Sequence, residues 1–114
     1  THVPPMITEI MQASGDTRDT IDYYMFHQPN KYMVDRLADE LDIPSEKCFS
    51  NIVGIYGNAS TATIPLNICH NIRAEATSKQ LRLCLSGFGG GLTCNAIIMN
   101  NPPMNHCEII DFIH

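Results

Sequence analysis

Residues 21–30 read IDYYMFHQPN, and the arrangement of the rest of the chain turns on them. Apart from Asp22, residues 21–26 are apolar or aromatic, the composition of a β-strand. An apolar run this continuous points to burial on both faces, as in a parallel or mixed sheet, and not to a strand with one wet side. Pro29 sits where a helix takes its first residue, and Met33, Val34, Leu37, Ala38 and Leu41 recur at helical spacing behind it. His27 is thereby predicted at the C-terminal end of a strand, just before a helix.

Two other stretches have the same form. Residues 55–60 (IYGNAS) and 86–93 (SGFGGGLT) are each a strand-like run that breaks into a loop of small residues. Three such loops could converge on one site. Around them, Pro4 and Pro5 open a helix with Met6, Ile7, Ile10 and Met11 at helical spacing, and Gly15 stops it. The segment Ile43-Pro44-Ser45-Glu46 ends the second helix, and residues 49–56 are predicted as a short irregular strand. Residues 60–74 (STATIPLNICHNIRA) are helical by length, capped by Ser60, with Pro65 placed early. Residues 60–69 carry no charge, which predicts a helix enclosed on all sides at the centre of the structure. After a polar turn at 77–80, Leu81, Leu83 and Leu85 alternate with Arg82, Cys84 and Ser86 as a strand. Residues 92–99 are expected to pair back as a hairpin, and 106–112 to form a last edge strand.

Composition limits the possibilities. A chain of 114 residues is at most one domain, able to bury about 65–70% of its unfolded surface. No apolar run approaches the ~18 residues needed to cross a bilayer, so no membrane association is expected. The formal net charge is −5 and the seven Lys and Arg are scattered, which argues against a nucleic-acid partner. The start lacks the basic and apolar regions of a secretory signal and has no methionine, so the chain reads as a piece of something longer. Five cysteines form an odd set with no C-x-x-C pair, which suits reduced thiols in a cytoplasmic protein.

Most candidate chemistry fails on inspection. Cys69-His70 and His106-Cys107 are adjacent pairs that cannot easily ligate one ion together, so no metal is expected. The run Gly87-Phe88-Gly89-Gly90-Gly91 is no dinucleotide fingerprint, because Leu92 stands at the final glycine position and a strand follows. Ser86 has Cys84 where a nucleophile elbow needs glycine. Asn58-Ala59-Ser60 matches a glycosylation triplet but leads into the helix expected to be buried. Cys84 alternates with leucines and is read as a buried strand residue.

The set HQPN at 27–30, YGNAS at 56–60 and GFGGG at 87–91, in that order and spacing, resembles the C-terminal part of β-ketoacyl-acyl-carrier-protein synthase III, a thiolase-fold condensing enzyme. The resemblance covers nearly the whole chain. It implies an α/β fold, the C-terminal part of a thiolase-like domain over residues 1–114, with a mixed sheet flanked by helices and a buried central helix. It also implies acyltransferase activity in fatty-acid biosynthesis, by condensing an acyl thioester with a malonyl thioester. His27 and Asn58 match the family's catalytic pair, which donates to the thioester oxygen as decarboxylation places negative charge on it. Gly90 would lend its backbone N–H to a second oxyanion hole, and Phe88 would pack beside the histidine.

The same resemblance implies no cofactor, with acyl-CoA and malonyl-acyl-carrier-protein as substrates. Expected partners are the missing N-terminal part, which would carry the nucleophilic cysteine, acyl-carrier protein or coenzyme A thioesters, and a second copy in a full-length homodimer. Three departures stand out: HQPN for the commoner HQAN, GNAS for GNTS, and Cys94-Asn95 where a Trp-Gly pair is often found. The helix after His27 mixes Lys31 and Arg36 with Asp35, Asp39 and Glu40, which weakens docking of an acidic carrier there. Two other readings keep the motifs: a thiolase-fold acyltransferase or polyketide-type condensing enzyme, and a noncatalytic subunit that completes a partner's fold.

Overall fold

The structure, a computed structural model, describes residues 3–27, 31–57, 62–89, 93–105 and 109. Helix α1 (Val3–Ser14) is followed by strand β1 (Tyr23–Phe26), helix α2 (Lys31–Leu41) and a short 3-10 turn (Ser45–Lys47). Helices α3 (Ile52–Tyr56), α4 (Thr63–Asn71) and α5 (Arg73–Ser78) lead to strands β2 (Leu81–Gly89) and β3 (Thr93–Asn101).

Among the described residues the three strands form one mixed sheet in the order β1-β2-β3. β1 runs parallel to β2, pairing Tyr23 with Leu83 and Phe26 with Ser86, while β3 returns antiparallel, pairing Leu81 with Asn101 and Gly89 with Thr93. A parallel pair needs a long crossover, and α2 to α5 supply it.

Strand alternation sends side chains to two helical layers. Tyr24, Phe26 and Cys84, with Ala96 and Ile98 beside them, pack on Ile7 and Met11 of α1 and Val34, Leu37 and Ala38 of α2. Met25, Leu81 and Leu83 pack instead on Ile68 of α4, on Ile72 between the two helices, and on Ala76 of α5. Both faces of β1 are therefore covered, as its unbroken apolar run predicts.

Helix ends explain much of the local order. At the end of α1, the N–H of Gly15 donates to Gln12 O (3.3 Å) and that of Asp16 to Met11 O (2.9 Å), a Schellman closure with Gly15 at φ +76°. α2 ends the same way, Asp42 donating to Asp39 O (3.1 Å) and Ile43 to Ala38 O (2.9 Å), but the left-handed residue is Asp42 at φ +59°. Asp16 then anchors β2: its carboxylate accepts from Arg82 Nη2 (2.7 Å) and Nε (3.2 Å), from Ser14 Oγ (2.6 Å) and from Thr20 Oγ1 (2.8 Å).

Several expectations need correction. Residues 52–56 are helical, not strand: Ile52 is buried, and reciprocal amide bonds between Asn51 and Asn71 (2.9 and 3.0 Å) fix this turn against α4. The single helix expected over 60–74 is two, because Ile72 at φ −128° and ψ 26° leaves the helical region. Residues 77 and 78, expected in a turn, belong to α5, where Thr77 Oγ1 bonds back to Arg73 O at 2.9 Å. Met33, expected on the buried stripe, is 45% exposed, since Val34, Leu37 and Ala38 set the direction of that face. Pro29, Ser60 and residues 106–108 and 110–112 lie outside the described residues.

Candidate functional site

His27 follows β1 directly, and its backbone N–H donates to Ser86 O of β2 at 3.0 Å, extending the parallel pairing by one bond. Ser86 is itself fixed: its buried Oγ donates to Asn95 O of β3 at 3.0 Å. The backbone at His27 is thus tied across all three strands. Continued by that bond, the alternation of β1 puts the half-buried His27 on the face of Tyr23 and Met25, toward α4.

β2 continues past the Phe26–Ser86 pair through Gly87, Phe88 and Gly89. Because β1 and β2 are parallel, His27 and the segment that leads to Gly90 stand at the same end of the sheet. The crossover returns to the opposite end: α5 finishes at Ser78 and β2 starts at Leu81, with Ala76 and Leu81 in one apolar cluster. α4 therefore runs back along the sheet with its first residue, Thr63, toward the His27 end. Crevices at the carboxyl ends of parallel strands are where α/β proteins place their ligands.

Gly57 closes α3 just before Asn58, with its N–H on Val53 O at 2.9 Å and a backbone at φ 74°, ψ −169° that only glycine adopts without strain. Asn58 and Gly90 lie outside the described residues. Phe88 pairs with Cys94 through the strand register, and its side chain also lies outside them. Of the four residues singled out by sequence, His27 has a described position at the strand end. The Ser86 bridge that braces it was missed; the signal was present in the alternation, which turns Ser86 away from the leucine face and into the sheet's other layer.

Two of the cysteines, Cys84 and Cys48, are poor nucleophiles. Cys84 is fully buried and its thiol is pushed up to about 12 by burial, with the Asp16 charge adding to the effect. Burial likewise pushes the Cys48 thiol up to about 12, the Asp35 charge contributing. Cys48 and Cys84 are free thiols. Among the described residues no group of three or more His, Cys, Asp or Glu is placed to hold a metal ion. No helix among them is long and apolar enough to cross a membrane.

A mixed sheet between two helical layers, with a histidine at the end of a parallel strand and a glycine-rich hairpin at the same edge, is an arrangement of the thiolase-like α/β class. The chain belongs to the family described as 3-oxoacyl-[acyl-carrier-protein (ACP)] synthase III C terminal, which it matches over residues 11–101. It is 40% identical over 102 residues to the β-ketoacyl-[acyl-carrier-protein] synthase III of Streptococcus pyogenes serotype M5 (strain Manfredo), covering 85% of this chain and 30% of that protein. Among solved structures it is similar to a 3-oxoacyl-(acyl-carrier protein) synthase from Burkholderia xenovorans LB400, with a TM-score of 0.87 and 31% identity over 93% of this chain and 30% of the other. A 3-oxoacyl-(acyl carrier protein) synthase III from Pseudomonas aeruginosa PAO1 gives a TM-score of 0.78 and 28% identity over 89% of this chain and 32% of the other. The chain therefore spans about a third of the length of the relatives it matches.

Proposed function

We propose that residues 1–114 are the C-terminal part of a longer 3-oxoacyl-acyl-carrier-protein synthase III, a decarboxylating condensing enzyme of fatty-acid biosynthesis, in which His27 and Asn58 stabilise an enolate. The observation that carries this reading is the family match over residues 11–101, which spans His27, Asn58, Phe88 and Gly90, together with the tie of His27 to the end of a parallel strand.

The chemistry assigns each residue a task. When malonyl thioester loses carbon dioxide, the electron pair of the breaking C–C bond moves onto the thioester carbonyl oxygen. A ring N–H of neutral His27 and the side-chain NH₂ of Asn58 donate to that oxygen without needing charge. The resulting carbanion attacks the carbonyl of an acyl thioester on a cysteine supplied by the rest of the protein. There the Gly90 N–H serves the tetrahedral oxyanion, and the cysteine thiolate leaves. Phe88 would be the supporting aromatic beside the histidine. No cofactor takes part; acyl-CoA and malonyl-acyl-carrier-protein are the substrates, and the complete protein is a cytoplasmic homodimer.

The test uses the complete protein. His27→Ala and Asn58→Ala should each lower malonyl-thioester decarboxylation by about 10²–10³, the usual cost of one oxyanion donor, while leaving acylation of the cysteine intact. Wild-type decarboxylation in either variant would overturn the assignment. The 114-residue chain alone should give no turnover, because the acyl group has no nucleophile to rest on.

A further inference from the structure

We infer that the cavity between α1, the end of α2 and β1 is a binding site for a small uncharged molecule with an apolar body and one hydrogen-bond acceptor. The cavity has a volume of about 220 Å³; its apolar lining is Ile7, Met11, Leu41 and Ile43, and the neutral polar residues Thr8, Gln12 and Tyr24 complete it beside two charged ones. It lies on the α1–α2 side of the sheet, opposite the face toward which His27 projects, so it is separate from the site proposed above.

Its size selects a small ligand, since pockets for drug-sized molecules run from ~300 to ~1,000 Å³. Its charge selects a neutral one. Two charged residues line it, Asp16 and Arg18, and both are already neutralised: Asp16 by Arg82 (2.7 Å) and Arg18 by the carboxylate of Asp42. A charged ligand would lose its hydration and would have to displace Asp42 from the half-exposed Arg18, or Arg82 from Asp16, to gain a counter-charge.

Tyr24 supplies the polar feature. The residue is fully buried, yet its hydroxyl donates only to Met11 Sδ, at 3.8 Å. A thioether is a weak acceptor, so most of the donor's capacity is unused. Burial pushes the phenol up to about 12, which keeps it protonated and a donor at neutral pH. A carbonyl or ether oxygen entering the cavity would replace the sulfur with a stronger acceptor, while its hydrocarbon body meets the four aliphatic walls.

The experiment is a titration of the methyl-labelled 114-residue chain with 2-heptanone, followed by NMR, with hexanoate as the charged counterpart of similar length. Saturable shifts are expected at the methyl groups of Ile7, Met11 and Ile43, with hexanoate at least about tenfold weaker. Tyr24→Phe should weaken 2-heptanone about fivefold, the equivalent of one net hydrogen bond of ~1 kcal/mol. On the wild-type chain, the carbonyl carbon of bound, labelled 2-heptanone should lie downfield of its position in a hydrocarbon solvent, which reads the same hydrogen bond without a variant. Shifts that never saturate, shifts located elsewhere, equal binding of hexanoate, or a bound carbonyl resonance at its hydrocarbon-solvent position would each overturn the inference.

Discussion

Replacing Asp16 by alanine should destabilise the chain by ~3 kcal/mol. The carboxylate accepts four bonds, two of them from the guanidinium of Arg82, and its side chain is only 7% exposed against 27% for Arg82. Breaking one partner of a buried ion pair costs about 3–5 kcal/mol. The lower end applies here, because Arg82 keeps access to water and a second bond, to Asn100 Oδ1 at 3.1 Å. Asp16→Asn retains an acceptor for Arg82 and groups for Ser14 and Thr20, and should cost about half as much, ~1.5 kcal/mol. The Arg82 guanidinium, with Ser14 and Thr20, holds the Asp16 carboxyl well below the usual carboxylate range. A depressed folded-state pKa contributes stability that is fully present above the unfolded value of about 3.9 and is lost as pH falls below it. Urea denaturation of the wild type and Asp16→Ala should therefore give a constant stability gap from about pH 5 to 7 that narrows below about pH 4. A gap under about 1 kcal/mol at neutral pH, or one that persists unchanged into acid, would refute the reasoning.

Gly57→Ala should cost about 2–3 kcal/mol from backbone strain alone, since φ 74° and ψ −169° suit only glycine and nothing lies within 4 Å of an added Cβ; equal denaturation midpoints would remove that account. Thr63→Val should be neutral or stabilising by up to ~1 kcal/mol, because the fully buried Thr63 Oγ1 has no hydrogen-bond partner among the described residues; a loss above that in thermal unfolding would mean the hydroxyl is satisfied. In the native chain at pH 8, Cys84 and Cys48 should react with a thiol reagent far more slowly than in urea, their thiols both lying near 12; full modification without denaturant, measured by mass spectrometry, would contradict this.

What could be read from sequence was set by how local the determining physics is. The start and stop of α1 were legible because two prolines and a glycine act within one helical turn. The end of α2 uses the same closure with Asp42 in the left-handed position, where the residue type gives no such signal. The turn at 52–56 was misread as strand because Ile52, Val53 and Ile55 favour strands locally. Asn51 and Asn71, paired across the crossover, decide otherwise, and no window around residue 52 contains that partner. Similarly, the break at Ile72 reflects packing of Ile68, Ile72 and Ala76 on two strands, which composition does not encode. For the site, the end of β1 was legible because a continuous apolar run stops at a histidine. Its bracing by Ser86 and Asn95 was only partly so: alternation turns Ser86 off the leucine face, but which strand it pairs with depends on residues distant in sequence from His27.

The long crossover between β1 and β2 sets an order of assembly. The β2–β3 pairing joins neighbours through a short connection and can form within microseconds, as hairpins do. By contrast, Asp22 and the N–H of Arg82 that its carboxylate accepts are 60 residues apart, and Asp16 and Arg82 are 66 apart. Closing so long a loop loses chain entropy before any contact compensates for it, which slows parallel pairing. The β2–β3 hairpin is thus expected to form before β1 docks. Until β1 docks, apolar residues on both sides of one short strand stay uncovered, a hazard for aggregation during synthesis.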